Sequence, residues 1–258
     1  KNTSRSGTQR ITISKRRCNI RAPCDCGQLK GFSLRAAPDR SLNRERLRQI
    51  EETAEHIVVL AGPISYVLAS DSFDGTLEDV LRESIPENLG DRDRALKEIG
   101  EIMAILRARK ETFRKRRPGI VNLISSSEIE RFLGHGLVGR QGLPEKARRE
   151  RRRQAQIEVA HFAKAVEDEP IGVQIGIVPD TLPHTGFQIF RQPDRQVLSV
   201  SPFRLGEQPN VRVGVAMITS APEALALHQK AAGEMWGRAL KGAAAAKFLR
   251  DLMKRHRD

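Results

Sequence analysis

The chain has 258 residues, of which 39% are hydrophobic, 30% charged and only 4% aromatic, and its formal net charge is +13. That apolar content supports a core of Ile, Leu, Val and Ala and excludes a chain too polar to fold. No apolar run reaches the ~18–20 residues of a bilayer-crossing helix, so no membrane partner is expected.

The charge is uneven. Residues 1–50 carry 13 Lys and Arg against Asp25, Asp39 and Glu45, and the rest of the chain is nearly neutral. Residues 1–40 mix Gly, Pro, Ser and Arg without a sustained period and read as a basic arm or linker. Lys15, Arg16, Arg17 and Arg21 are its candidate nucleic-acid contacts, through attraction to phosphate that salt screens. A soluble leader without a partner is the alternative. Cys18, Cys24 and Cys26 also lie there. Three thiols with no fourth ligand at zinc-finger spacing lead us to expect no metal and no cofactor, and leave their role open. The start "KNTSRSGTQR" is polar, with no apolar signal segment after it, so a cytoplasmic location is expected. It carries no initiating Met, which leaves room for a segment upstream.

The body, 41–258, opens with "SLNRERLRQIEETAEHIVVL", where Leu47, Ile50, Ala54 and Ile57 recur at helical spacing. After the break at Gly62-Pro63, "ISYVL" is readable as a short helix or a strand. Residues 76–85 read as a helix with Thr76 at its N-cap. Residues 91–114 form the clearest helix, with Leu96, Ile99, Met103, Leu106 and Phe113 on one face. "IVNLIS" (120–125) reads as a strand and 126–134 as a short helix closed by Gly134. The loop "GHGLVGRQG" matches neither a P-loop nor a dinucleotide fingerprint. Pro144 then opens a helix over 145–167 with Ala155, Val159, Phe162, Ala163 and Val166 inward.

From 171 the period becomes two. "IGVQIGIV", "GFQIFR", "QVLSVS" and "VRVGVAMIT" read as strands, and 221–232 and 234–255 as helices. The short polar connections between these strands favour antiparallel neighbours. The expected fold is α+β: an antiparallel sheet of four to five strands with helices on one face, preceded by a helical segment and the basic arm.

The long helix ending in "LRARKETFRKRR", then "IVNLISSSEIERFLG", then "VQIGIVPDTLPHTGFQIFRQPDRQVLSVSPF" resembles the C-terminal sensor-type domain of bacterial XRE-type helix-turn-helix regulators. The landmarks are Ile177-Val178-Pro179 closing a strand and Gly186-Phe187 opening the next, and the likeness covers roughly 50–250. The resemblance implies a transcription regulator, non-enzymatic, that binds DNA through an upstream or N-terminal element, acts as a homodimer and responds to a small-molecule or protein effector. No pair of helices around a tight turn is readable in 1–50, so the DNA reader is assigned to the arm or to a segment before Lys1.

The loop "PDTLPHT" offers Asp180, Thr181 and His184 as ligand-reading residues on a rigid sheet. Tyr66, the sole tyrosine, is a fourth candidate, either pocket wall or core. Two other functions stay open. Asp180 and His184 could form the acid–base pair of a small hydrolase or transferase. The Arg runs at 114–117 and 148–153 suit an RNA- or ribosome-associated protein, against which the few aromatics speak.

Overall fold

A six-stranded sheet organises the fold: β1 (His56–Leu60), β2 (Gly119–Ser125), β3 (Val173–Val178), β4 (Gly186–Arg191), β5 (Gln196–Ser201) and β6 (Met217–Thr219). Their order across the sheet is β3-β2-β1-β4-β5-β6. Around it stand α1 (Arg40–Thr53), α2 (Ser72–Glu83), α3 (Arg92–Arg116), α4 (Ser126–His135), α5 (Glu145–Asp168), α6 (Pro222–Arg238) and α7 (Gly242–Arg255). The computed structural model describes residues 40–168, 171–179, 185–201 and 217–257, and Asp39–Asp258 makes one compact unit.

The sheet is mixed, which corrects the antiparallel expectation. β1, β2 and β3 run parallel, whereas β4, β5 and β6 are antiparallel to their neighbours. Two βαβ crossovers explain this: α2 and α3 carry the chain from β1 to β2, and α4 and α5 from β2 to β3. The short-connection rule holds for β4–β5, but β4 turns back to pair with β1 rather than with β3. Helices cover both faces instead of one. Ile57, Val59, Ile120, Ile175, Ile177 and Phe190 face the layer of α1 to α5 and α7, while Leu60, Leu123, Phe187 and Leu198 face α6.

The boundaries move for local reasons. The first helix ends at Thr53, and the β-branched "HIVVL" that seemed to continue it is the central strand β1. α2 begins at Ser72, four residues before Thr76. The first turn is closed by backbone, Phe73 N–H donating to the Ser70 carbonyl and Asp74 N–H to that of Asp71, while fully buried Glu158 of α5 anchors the segment before it by accepting Ser70 N–H at 3.0 Å and the hydroxyl protons of Ser70 and Ser72. Ser125 does cap α4, its Oγ accepting from Ser127 N–H at 3.2 Å. Near the C-terminus α6 runs through Gly233 to Arg238, and the chain breaks at Ala239–Lys241. Only Met217–Thr219 of the last strand reading is a described strand.

Gly176 fixes how close α6 can come. A Cβ there would lie 2.9 Å from both Ala239 Cβ and the Trp236 ring, so only glycine admits this contact. Trp236 thus packs on β3 as part of the second core rather than as an exposed ring.

Candidate functional site

α3 turns one stripe toward the sheet. Ile102, Ile105, Leu106, Arg109, Thr112, Phe113 and Arg116 follow the i, i+3, i+4, i+7 rhythm, and all line one cavity of about 230 Å³. α1 adds Leu47 and Glu51, one turn apart. The floor is the sheet face carrying Ile57, Val59, Ile120, Gln188 and Ser199, and the segment Ala61–Val67 closes one end with Tyr66. The size lies between an empty apolar cavity of ~150 Å³ that accepts benzene and a drug-sized site of ~300 Å³ or more. It suits a ring with a short chain.

Most of this wall is apolar, and among the described residues its charges are three: Glu51, Arg109 and Arg116. Arg109 donates side-on to Glu51, Nε to Oε2 at 2.6 Å and Nη2 to Oε1 at 2.5 Å. Both side chains are largely buried, at 15% and 12% exposure. Burial alone would push the Arg109 guanidinium down. The Glu51 charge and its hydrogen bonds outweigh that, so the net direction is upward and the guanidinium keeps its charge. Arg116 lies exposed at the rim, two helical turns further on.

Tyr66 stands in the wall, but its hydroxyl is committed elsewhere. It donates to Asp74 Oδ1 at 2.9 Å, and Lys110 Nζ lies 4.7 Å from its ring centroid. Lys110, only 3% exposed, also donates to Asp74 Oδ1 at 2.7 Å and to the Ser70 carbonyl at 2.9 Å. Burial first, and the bond to Asp74 second, hold the phenol well above its ordinary range. Tyr66 therefore gives the cavity ring surface rather than a titrating group.

Asp180, Thr181 and His184 lie outside the described residues, as do Lys15, Arg16, Arg17, Arg21 and the three cysteines. Of the sequence candidates, the structure places Tyr66 alone, in the cavity wall. Arg109, Glu51 and Arg116 were missed. Their signal was Arg109 and Arg116 in register with Leu106 and Phe113 on an otherwise apolar stripe.

The described histidines are engaged elsewhere. His161 is exposed, and its Nε2 lies 3.2 Å from the Leu68 carbonyl. His228 Nδ1 meets the Ala224 carbonyl at 2.8 Å, with its ring edge-on to Phe187 at 4.9 Å. Among the described residues no histidine or cysteine lines the cavity, and no group of three or more His, Cys, Asp and Glu could hold a metal ion.

The basic run of α5 is partly paired with its own carboxylates. Arg148 and Arg152 pair with Glu145 at 2.9 and 3.1 Å, and Arg153 with Glu150 at 2.9 Å. Arg152 holds Glu145 below the ordinary carboxylate range, and Arg153 and Gln154 hold Glu150 down at about 2. Arg151 turns inward to Glu83. These pairs hold the arginines in place, but Glu145 and Glu150 stand against Lys146 and five arginines in 145–153, so the face stays net positive.

No helix among the described residues is long and apolar enough to cross a membrane. No family model matches the chain, and no curated protein matches it.

Proposed function

We propose that this chain is the ligand-sensing and dimerisation part of a bacterial, cytoplasmic transcription regulator of the XRE type, working by binding and not by catalysis. The observation that carries this reading is the largely apolar cavity between α1, α3 and the sheet. α1 supplies Leu47 and Glu51 to that wall and follows directly on the basic arm. A molecule that fills the cavity therefore bears on the helix leading to the arm, and through it on the DNA-binding element. A catalytic role would need a nucleophile or a titrating acid–base pair at the apolar surface. Among the described residues the polar groups there are the Glu51–Arg109 ion pair, the Gln188 amide, hydroxyls with no histidine beside them, and Arg116.

In this proposal the homodimer contact is the outer side of α6, where Leu227 is 66% exposed. The test is to fuse the full chain behind a helix-turn-helix head that represses a reporter only as a dimer. The fusion is expected to repress, and small apolar ligands are expected to change the repression. Reporter output equal to that of the head alone would overturn the assignment.

A further inference from the structure

We propose that the cavity under α1 and α3 takes a small monocarboxylate with an apolar body, its head on the outer edge of Arg109 and its body on the sheet face. This rests on the sensor reading and names its ligand class.

Charge is the first argument. The described residues lining the cavity carry one acidic and two basic side chains, Glu51 against Arg109 and Arg116, so the wall is net positive. Both oxygens of Glu51 are already taken by Arg109. A cationic guest would find no uncommitted carboxylate, and an anionic one finds two guanidinium groups.

The donors of Arg109 are the second. A guanidinium offers five N–H groups in a fixed fork. Glu51 accepts from Nε and Nη2, and Nη1 has no acceptor among the described residues. Nη1 is not among the buried unpartnered atoms, so this edge stays open to an incoming group, and two carboxylate oxygens match the edge formed by Nη1 and the second Nη2 proton. Glu51 fixes the orientation of that fork and need not leave.

Size and polarity are the third. The side chains of Val59, Leu106 and Phe113 ask for an apolar body, and about 230 Å³ restricts it to a ring or a short branched chain. Arg116 at the rim adds attraction along the entry path, which salt weakens.

The test uses the full chain and three matched probes: 3-phenylpropionate, its neutral amide and 3-phenylpropylamine, each followed by calorimetry at low and high salt. The acid is expected to bind about tenfold tighter than the amide, and the amine not at all. Glu51→Gln is expected to tighten the acid several-fold by lifting the competing charge. Arg116→Gln should weaken it about threefold and flatten its salt dependence. Arg109→Gln alone would strand Glu51, so the double variant Arg109→Gln/Glu51→Gln is used; it keeps shape and removes both charges. In it the preference for acid over amide should vanish while the amide still binds. Equal binding of acid and amide by the natural chain, or an undiminished preference in the double variant, overturns the carboxylate assignment and leaves the cavity as a ligand site. Failure of all three probes at millimolar concentration overturns both the assignment and the sensor reading.

Discussion

Tyr66 is the sole tyrosine of the chain, so its ionisation can be followed without interference. Burial and the bond to Asp74 raise its pKa, so the folded state keeps the proton where an unfolded chain would lose it. The sign follows. Below a pH of about 10, the ordinary tyrosine value, both states are protonated and this group adds no pH dependence. Above it the unfolded chain ionises first, so stability falls as pH rises toward the folded pKa. Absorbance at 295 nm is expected to show no tyrosinate in the folded protein at pH 10.5, and about three quarters of the full signal once denaturant is added. Asp74→Asn should lower the folded midpoint, because it removes the charge that the phenolate would face. Tyr66 could be singled out from sequence as a lone ring between an apolar run and a Ser-rich turn. Arg109 was not, because an Arg beside Arg107 and Lys110 looks like any solvated helical face. Only the partner Glu51, separated by β1, α2 and most of α3, shows that this particular Arg turns inward.

Gly176 sets a contact between elements. Gly176→Ala would force a methyl into the space of Ala239 and the Trp236 ring, at a cost of about 1–3 kcal/mol. Trp236 is the only tryptophan, so the variant is expected to shift intrinsic fluorescence together with a lower Tm. An unchanged emission spectrum with unchanged Tm would mean that α6 does not approach β3 this closely. The strands β4 and β5 were readable residue for residue, since Gly186–Arg191 and Gln196–Ser201 are short apolar runs of sequence set off by Pro-containing polar segments. The long helices α3 and α5 were readable for the same reason at period 3.6. β1 was not. It is buried between two other strands, so it shows no alternation, and Ala54 and Ile57 happen to continue the spacing of Leu47 and Ile50. Losing β1 also lost the first crossover, and with it the parallel half of the sheet. The anchor of the turn before α2 was invisible for a related reason: Glu158 lies far along the chain from Ser70.

At the scale of the whole molecule, the two faces of the sheet have different company. One carries α1 to α5 with the cavity, and the other carries α6, whose outer side holds the exposed Leu227. Proposed as the dimer contact, this residue predicts that Leu227→Glu sediments as a monomer at micromolar concentration where the natural chain sediments as a dimer, with Tm changed little. A monomeric natural chain would remove that contact. The central place of β1 carries a last consequence, for synthesis. One neighbour of His56–Leu60 is β2, but the other is β4, which begins only at Gly186. At a ribosomal pace of about 5–20 residues per second, the nascent β1 waits about 6–25 s with one flank unpaired. The newborn polypeptide must spend that interval shielded, by its own α3 or by a chaperone, from every other sticky edge in its surroundings.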